Sequence, residues 1–468
     1  MVLYPEYHKD IQSNNTVYLI RSTKDLSDLK LSQKQIKYIE KGLKDGGSCT
    51  INNYGKFLGV MKPGKLKQPA DREAIRKFGA SVYDEVAKVC DKIQVESDSA
   101  DAIELFLEGF CLASYSFDKY FTKKKERVLK GVYTSNAKVN VEDVQHIVDA
   151  TCWARTLVNE PVSYLNSPQL SKDIEAKCVD TDIKVEVFEK QKIESLKMGG
   201  LLAVNKGSVD PPTFTIMEWK PKNAKNKKPI VLVGKGIVYD TGGLSLKPTA
   251  NSMDFMKSDM GGAAAMVATT YAACKLKIPL HIITLIPSTD NRPGGNAYAP
   301  GDVITMFNGM SVEVLNTDAE GRMALADALS YGNKYKPELV IDAATLTGAA
   351  ARAIGTMASC VMGNAKDEEI NAMIEAGDAT YDRVVKFPFW DEYKEELKST
   401  IADIKNLGGP NAGMITAGKF LEHFTDYPFI HLDIAGPAFF HKKDSYRGQG
   451  GTGAGVRLLV EFLKRKAK

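Results

Sequence analysis

The sequence has no closely spaced cysteine pair, because its seven cysteines are scattered and none forms a C-x-x-C motif. Their number is odd, and the first ten residues show no signal-peptide pattern. Stabilising disulfides are mostly a feature of secreted proteins, so these absences predict reduced thiols and a cytoplasmic location. No cysteine lies in a recognisable nucleophile context either.

Long hydrophobic runs are also missing. No uninterrupted apolar segment approaches the roughly 18 residues of a membrane-spanning helix, and the longest stretch of small apolar residues, after Gly261, predicts a buried helix. The net charge of +4 is small for 468 residues, so composition gives no support for nucleic acid as the main partner. With 44% hydrophobic and 26% charged residues, the chain resembles a soluble globular protein, and its length predicts two domains.

Several common catalytic motifs are absent. The six histidines form no H-E-x-x-H motif, and the chain has neither a G-x-S-x-G nor a G-x-x-x-x-G-K-[ST] motif. Gly234 and Gly236 follow an apolar segment, as in dinucleotide-binding proteins, but Tyr239 stands where that motif needs its third glycine. A nucleotide site is therefore disfavoured, and a tight backbone path past another ligand is the alternative.

Apolar periodicity predicts two α/β domains. Residues 140–158 have the spacing of an amphipathic helix, which ends before Pro161. Such a helix commonly joins two domains, so we expect a smaller N-terminal α/β domain at 1–150 and a larger domain at 151–468. Short apolar runs alternate with charged helical patterns in the first of these, which fits an α/β domain.

In the C-terminal part, apolar runs of strand length alternate with helical segments, which predicts a sheet with helices on both faces. The predicted strands are 229–233, 281–286, 338–343 and 429–434. Asn308 and Gly309 lie between two further apolar runs and indicate a hairpin. We therefore expect a mixed, mostly parallel sheet flanked by helices.

The segment 316–323, with the sequence NTDAEGRM, brings two carboxylates and an arginine close together. Residues two apart point to the same side of an extended backbone, so we expect Asp318, Glu320 and Arg322 to face one pocket. Two carboxylates that close repel each other unless a cation lies between them, which favours a metal site. A solvated acidic loop is the alternative for this pattern taken alone.

Two further aspartates lie near the ends of predicted elements. Asp240 comes after the first predicted strand, and Asp259 precedes a predicted helix at 263–274; ligands of α/β proteins gather at the carboxyl ends of strands. For Asp259 taken alone, capping that helix is the alternative. With Asp318 and Glu320 they make four carboxylates, which two divalent cations would balance, whether zinc, manganese, magnesium or cobalt.

These motifs resemble those of the leucyl (cytosol) aminopeptidases, the dinuclear-metal family that includes bacterial aminopeptidase A. The segment 316–323 is similar to the signature octapeptide of that family, with Met323 where leucine is usual. Further similar segments are 155–161, 233–237, 240–248, 256–263, 344–349 and 451–457. The resemblance covers roughly residues 150–460; Val238 and Tyr239 depart from the pattern but replace no functional residue.

The resemblance implies a metal-dependent exopeptidase that releases N-terminal amino acids, leucine and other apolar residues among them, from peptides. The implied metal ligands are Lys235, Asp240, Asp259, Asp318 and Glu320, with Asp240 and Glu320 shared by two ions. Lys235 would bind as a neutral amine, and Lys247 would stay protonated and polarise the substrate carbonyl. Arg322 would hold a bicarbonate ion that acts as general base toward a metal-bridging water.

The resemblance also implies a substrate pocket and an assembly. The pocket residues are Met256, Thr345, Leu346, Gly348, Ala435 and Ala438. Some family members carry methionine at the position of Ala438, which implies a wider pocket here without strict leucine preference. A homohexamer is implied, with a variable N-terminal domain that serves assembly or substrate access. DNA binding, known for some bacterial relatives, is the alternative secondary function, with the basic segments 123–127 and 222–228 as its candidates.

Overall fold

The computed structural model describes the chain apart from residues 1, 12, 30, 54, 55 and 125 and the side chain of Asn53. One residue of the basic segment 123–127 therefore lies outside the described residues. The chain divides into two compact units: Met1–Cys152 with Lys442–Gln449 (unit 1), and Trp153–His441 with Gly450–Lys468 (unit 2). The division falls within a helix at Val141–Asn159, and this helix confirms the one predicted at 140–158.

Unit 1 is an α/β unit built on one six-stranded sheet. Its strands are β1 (Pro5–Tyr7), β2 (Thr16–Leu19), β3 (Ser48–Asn53), β4 (Lys56–Met61), β5 (Lys92–Glu96) and β6 (Gly131–Thr134), and its helices are α1 (Gln33–Gly46), α2 (Pro69–Val86) and α3 (Ala100–Ala113). The spatial order is β1-β6-β5-β2-β4-β3, and only β3 and β4 pair antiparallel. The segment 442–449 belongs to this unit: Tyr446 is fully buried and its hydroxyl donates to Glu73 at 2.8 Å.

Unit 2 contains a nine-stranded sheet. The strands after β6 are β7 (Lys184–Phe188), β8 (Thr213–Trp219), β9 (Ile230–Gly234), β10 (Gly236–Asp240), β11 (Ile282–Asn291), β12 (Val303–Thr305), β13 (Ser311–Glu313), β14 (Leu339–Ala344), β15 (Ser359–Gly363), β16 (Val384–Lys386), β17 (Ile404–Lys405), β18 (Phe429–Asp433), β19 (Phe439–Asp444) and β20 (Gly448–Gly451). The sheet order is β16-β15-β18-β14-β9-β11-β8-β7, with β10 beside β11. Strands β18, β14, β9 and β11 are parallel, whereas β15 is antiparallel to β18 and β8 is antiparallel to β11. The predicted mixed, mostly parallel sheet is confirmed.

Helices cover both faces of this sheet. The remaining helices are α4 (Val141–Asn159), α5 (Ser167–Cys178), α6 (Lys190–Ser195), α7 (Gly199–Asn205), α8 (Gly261–Lys275), α9 (Glu320–Gly332), α10 (Gly348–Ile354), α11 (Asp367–Thr380), α12 (Gly413–Glu422) and α13 (Val456–Lys466). Val231 and Val233 of β9 share a core with residues of α9. The next residue, Gly234, points to the other face, where a methyl group on it would lie 2.6 Å from Ala263 Cα of α8. The buried helix predicted after Gly261 is thereby confirmed as α8.

The four strands predicted in this region are confirmed, and the largest difference is at β11, which continues to Asn291. The hairpin at Asn308 and Gly309 is confirmed as well, since β12 and β13 pair antiparallel. The expectation that this hairpin makes the main sheet mixed is wrong, because β12 and β13 form a separate three-stranded sheet with β17. Turn chemistry predicts which strands pair but not the sheet they join. Within the described ranges, no helix is long and apolar enough to cross a membrane.

Candidate metal centre

The candidate residues meet where the parallel strands of unit 2 end. Strand β9 ends at Gly234 and is followed by Lys235, and β10 ends at Asp240. Asp259 lies just before α8, and Glu320 is the first residue of α9. Both helices direct their positively polarised amino ends toward this edge of the sheet, which favours carboxylates there.

Two glycines let these helices approach the strand ends. A methyl group on Gly262 of α8 would lie 2.0 Å from Ala343 O, and one on Gly321 of α9 would lie 2.3 Å from Lys235 Cε. Both gaps are too short for a side chain in a closely packed interior. The turn after β10 requires glycine for another reason, because Gly242 has a φ of 85°.

The acidic segment 316–323 is not extended. The extended backbone from which we expected its side chains to face one pocket is therefore wrong. Asp318 lies in a turn, where its N–H donates to Asn316 Oδ1 at 2.8 Å, and α9 begins at Glu320. The carboxylates still converge, since oxygens of Asp240, Asp318 and Glu320 lie within 4.8 Å of one another. Among the residues that the structure describes, no second group of this kind occurs.

Lys235 is almost fully buried between two carboxylates. Its Nζ lies 2.8 Å from Asp259 Oδ2 and 2.9 Å from Glu320 Oε1, and it donates to Thr345 O at 3.1 Å. Burial by itself lowers the pKa of Lys235, but the charges of Asp259 and Glu320 outweigh it, so the pKa lies above its ordinary value. In this arrangement Lys235 is an ammonium group.

Lys247 is the second ammonium group of the cluster. Its Nζ lies 2.8 Å from Asp240 Oδ2 and forms a close ion pair with Asp318 Oδ1. Here too burial lowers the pKa, and the charge of Asp240 and then of the other carboxylates raises it above its ordinary value. Each lysine therefore joins two carboxylates that come from different segments of the chain.

The four carboxylates differ in pKa. Burial, and after it the charge of Glu320, raises the pKa of Asp240, and burial also raises those of Asp259 and Asp318. For Glu320 burial acts in the same direction, but the two ammonium groups outweigh it and its pKa lies below the ordinary value. Buried carboxylates this close oppose one another's ionisation, and Glu320 is the one best stabilised as an anion.

The cluster is short of positive charge, which fits divalent cations. Its four carboxylates outnumber the ammonium groups of Lys235 and Lys247. Glu320 Oε2 is buried and finds no hydrogen-bond partner in the described part of the chain. Leaving a buried acceptor unsatisfied costs about 1–3 kcal/mol, and more for a charged group. Carboxylate oxygens are ligands that zinc, manganese and magnesium accept, so the donors present fit the metals that the sequence predicts.

Arg322 is buried on the first turn of α9. Its Nη1 donates to Asn406 O at 2.9 Å, whereas no described residue accepts a hydrogen bond from its Nε. Burial lowers the pKa of Arg322 to about 10, although Glu320 and Asp433 act in the opposite direction. Arg322 is therefore a cation at neutral pH, and its free donor fits a small oxyanion such as bicarbonate.

Two of the expected pocket residues lie beside the start of α8. A methyl group on Gly261 would be 3.1 Å from Thr345 Cγ2 and 3.5 Å from Ala438 Cβ, so both side chains lie near the same point. Thr345 also contacts the cluster, because its Oγ1 donates to Asp259 Oδ1 at 3.0 Å. Thr345 therefore lies next to both Ala438 and the carboxylate of Asp259.

The other pocket residues belong to neighbouring segments. The N–H groups of Leu346 and Ala435 both donate to Asp433 Oδ1 at 3.2 Å, which joins the loops after β14 and β18. Gly348 is the first residue of α10, and Met256 lies in a short 3-10 helix that precedes α8. The pocket candidates thus come from four segments of unit 2.

Comparisons with known proteins agree on one family. The cytosol aminopeptidase family, catalytic domain, matches residues 152–460. A probable cytosol aminopeptidase of Chlorobaculum tepidum is 46% identical over 380 residues, which cover 77% of this chain and 74% of that protein. The corresponding protein of Chloroherpeton thalassium is 43% identical over 396 residues, 79% of this chain and 77% of that protein. The chain belongs to the cytosol aminopeptidase family.

Membership of the cytosol aminopeptidase family makes the protein a metal-dependent exopeptidase, a hydrolase that acts on peptides. The family resemblance and the enzyme class predicted from the sequence are confirmed. A solved structure, the bottromycin maturation enzyme BotP in complex with Mn, has a TM-score of 0.85 and 27% identity, over 97% of this chain and all of that one. The predicted α/β fold is therefore that of a solved relative.

Sequence reasoning missed polar residues that hold the acidic side chains of this aminopeptidase. Asn291, at the end of β11, donates from Nδ2 to Asp240 Oδ1 at 2.8 Å and to Thr317 O at 2.9 Å. The hydroxyl group of Tyr298 donates a hydrogen bond to the same Thr317 carbonyl at 2.9 Å. One signal was available, since Asn291 follows a predicted strand just as Asp240 does. Asn291 carries no charge, however, so charge does not mark it as a site residue.

Proposed function

We propose that this aminopeptidase binds two divalent cations through five side chains, namely Lys235, Asp240, Asp259, Asp318 and Glu320. The observation that carries the proposal is the convergence of carboxylates around the buried Glu320, whose Oε2 has no partner among the described residues. Zinc or manganese is the proposed metal, and the same donors accept magnesium or cobalt. The complex of the relative BotP with Mn supports manganese.

The proposed ligands form two sets that share Asp240 and Glu320. One set consists of Asp240, Asp318 and Glu320, whose oxygens lie within 4.8 Å of one another. The other contains Asp259 and Lys235. The Nζ of Lys235 lies 2.8 Å from Asp259 Oδ2 and 2.9 Å from Glu320 Oε1. We propose one cation for each set, and Asp240 and Glu320 would serve as ligands in both. Lys235 can serve as a ligand only as a neutral amine, so it must release a proton to solvent.

When bound, the cations would lower the pKa of a water molecule and polarise the scissile carbonyl of the peptide. Lys247 would keep its proton, since the carboxylates around it raise its pKa. Its Nζ, now within ion-pairing distance of Asp240 and Asp318, would face the oxyanion that develops on the substrate. A positioned ammonium group in a site shielded from water stabilises such a charge strongly.

Arg322 is the proposed holder of a bicarbonate ion, which would serve as general base. Its buried guanidinium group stays cationic at neutral pH, and its Nε has no acceptor among the described residues. The bond from its Nη1 to Asn406 O fixes the direction of the side chain. Planar anions suit the guanidinium fork, so Arg322 would orient the base beside Glu320.

The proposed substrates are peptides with a free N-terminus. The pocket for the first side chain would be lined by Met256, Thr345, Leu346, Gly348, Ala435 and Ala438. Ala438 offers only a methyl group beside Thr345, which supports acceptance of leucine and other apolar residues. We further propose a homohexamer in which residues 151–468 are catalytic and residues 1–150 serve assembly or substrate access. The proposed location is the cytoplasm, which the names of the cytosol aminopeptidase relatives support.

Metal removal tests the proposed function. After exhaustive chelation, we expect hydrolysis of leucine amide to fall to background and to return with zinc, manganese or cobalt, because the nucleophile depends on the cations. Saturation should require two Mn²⁺ per chain. Circular dichroism of the chelated protein is the control for folding. Full activity in demonstrably metal-free protein would refute the proposal.

A further inference from the structure

Asn406, which follows β17 behind the acidic segment, is fully buried. Its backbone N–H donates to Glu313 O at 2.9 Å, which extends the pairing of β17 with β13 by one hydrogen bond. Its side chain points away from that pairing and reaches the backbone just before Asp318. Nothing in its local sequence distinguishes it from an ordinary loop residue.

The amide of Asn406 pairs with both backbone polar groups of one residue, Asn316. Its Oδ1 accepts from Leu315 N–H at 2.8 Å and from Asn316 N–H at 3.4 Å, and its Nδ2 donates to Asn316 O at 2.8 Å. Only this orientation of the amide satisfies all three partners, because the reverse would direct N–H groups at N–H groups. Aspartate at this position would face the Asn316 carbonyl with an acceptor in place of a donor.

Two contacts extend from Asn406 to the proposed reaction centre. Asn316, whose backbone Asn406 holds, accepts the Asp318 N–H on its own Oδ1 at 2.8 Å. On the other side, the carbonyl of Asn406 accepts from Arg322 Nη1 at 2.9 Å. A single buried residue therefore fixes both the turn that carries Asp318 and the direction of the Arg322 guanidinium group.

We propose that Asn406 is a positioning residue for one of the two ligand sets, the one formed by Asp240, Asp318 and Glu320. It acts through Asn316, holding the carboxylate of Asp318 near the other two. This inference rests on the proposed function, because it concerns the cations that the centre would bind. Asn406 itself would touch neither metal nor substrate.

The effect of Asn406 falls on one ligand set because the other is supported independently. Asp259 is held by Thr345 Oγ1 at 3.0 Å and by Lys235 Nζ at 2.8 Å, and within the described part of the chain neither residue is hydrogen-bonded to Asn406 or Asn316. Outer hydrogen bonds that orient a metal ligand commonly change metal affinity by about 10–100-fold. Loss of the Asn406 amide should therefore weaken the binding of one cation and leave the binding of the other unchanged.

A purely structural role is the competing interpretation, since Thr317 in the same turn is also held by Asn291 and Tyr298. If those two bonds suffice, removing the Asn406 amide would lower stability and leave both cations bound as before. Stability and metal affinity therefore have to be measured on the same variants.

Asn226 offers a matched control. Its Oδ1 accepts His281 N–H at 2.7 Å and its Nδ2 donates to His281 O at 2.9 Å, which is the same pairing with one residue's backbone. It lies at the amino end of β11, whereas the carboxylates lie at the opposite ends of the strands. Asn226→Ala should thus remove equivalent hydrogen bonds without affecting the cluster.

The experiment measures Mn²⁺ binding by equilibrium dialysis, together with thermal unfolding, for the full-length chain, Asn406→Ala and Asn226→Ala. We expect two bound Mn²⁺ in the unmodified protein and in Asn226→Ala. In Asn406→Ala, one Mn²⁺ should bind as before and the second at least tenfold more weakly. The Mn²⁺ that remains bound reports that the variant is folded, and Asn406→Asp, which keeps the shape of the side chain, should show the same selective loss if Asn406→Ala does not fold.

Two results would overturn the inference: unchanged binding of both Mn²⁺ by Asn406→Ala, or equal weakening of both. Fewer than two Mn²⁺ in the unmodified protein would instead overturn the proposed function, and this inference with it. The comparison between variants thus separates the two proposals.

Discussion

Helix α9 carries two buried carboxylates that are held in opposite ways. Glu320, its first residue, pairs with the Lys235 ammonium group and leaves Oε2 without a partner among the described residues. Asp327, two turns further along, accepts backbone N–H groups of Leu201 and Phe307, each at 2.9 Å. Asp327 joins three segments of the fold, whereas Glu320 retains an oxygen for a ligand. The two carboxylates therefore differ in their hydrogen-bond donors: backbone N–H groups hold Asp327, whereas a lysine side chain holds Glu320, the proposed metal ligand.

Glu320→Ala tests this contrast with the largest expected effect. Removing the carboxylate common to both ligand sets should lower kcat for leucine amide by at least about 1000-fold, more than loss of a single stabilising donor in a typical active site. The chain should remain folded, because the removed group is surrounded by other carboxylates. The control is Asp327→Ala. Its turnover, corrected for the fraction of the protein that is folded, should equal that of the unmodified protein. Near-normal turnover by Glu320→Ala would remove the distinction altogether.

Lys247→Met extends the contrast to lysines. The change keeps the length of the side chain and removes its charge, so kcat should fall by about 100–1000-fold. Lys419 is the matched structural lysine: it is 1% exposed, with its Nζ 3.0 Å from Asp391 Oδ1 and 2.9 Å from Glu422 Oε2. Lys419→Met should lower the melting temperature and leave kcat unchanged. Equal kcat values for the two variants would contradict the role given to Lys247.

Asp327→Asn has the smallest expected effect on catalysis and a distinctive effect on stability. One backbone N–H loses its acceptor, which should cost about 1–3 kcal/mol of the free energy of unfolding, with kcat unchanged. Burial raises the pKa of Asp327 to about 7, above an ordinary value of about 3.9. The folded state therefore favours the protonated form, and the stability that Asp327 contributes is present below pH about 4 and lost as the pH rises to about 7.

Because asparagine does not ionise, the variant lacks this pH dependence. The difference in melting temperature between the unmodified protein and Asp327→Asn should consequently narrow as the pH rises from about 4 to about 7. Melting curves across that range provide the measurement. A difference that widens would mean that Asp327 is ionised in the folded chain, and that its backbone partners dominate over burial.

Much of the fold could be predicted because its signals are local. Apolar runs identified β9, β11, β14 and β18, and helical spacing identified α4 and α8. The assignment of the hairpin to the main sheet failed, since turn residues specify only the two strands they connect. The sequence did not predict that residues 442–449 belong to unit 1. That placement depends on a contact between Tyr446 and Glu73, two residues that are far apart in sequence.

The candidate centre was predicted in part for a wrong reason. Asp318 and Glu320 converge because a turn leads into α9, not because the backbone is extended. Charged residues at element ends were a usable signal, as their side chains are costly to bury without a partner. Asn291 and Asn406 carry no charge, so this signal was absent for them. An amide is common in loops, and the importance of these two comes from their partners elsewhere in the chain.

The two glycines at the helix starts limit how this centre could be re-engineered. Any larger residue at Gly262 would collide with the Ala343 carbonyl, and any larger residue at Gly321 would displace the Lys235 side chain. Directed evolution toward another metal preference therefore has no productive choices at these two codons. Diversity in a variant library is better spent on the donor side chains themselves, because neither glycine position has room for a side chain.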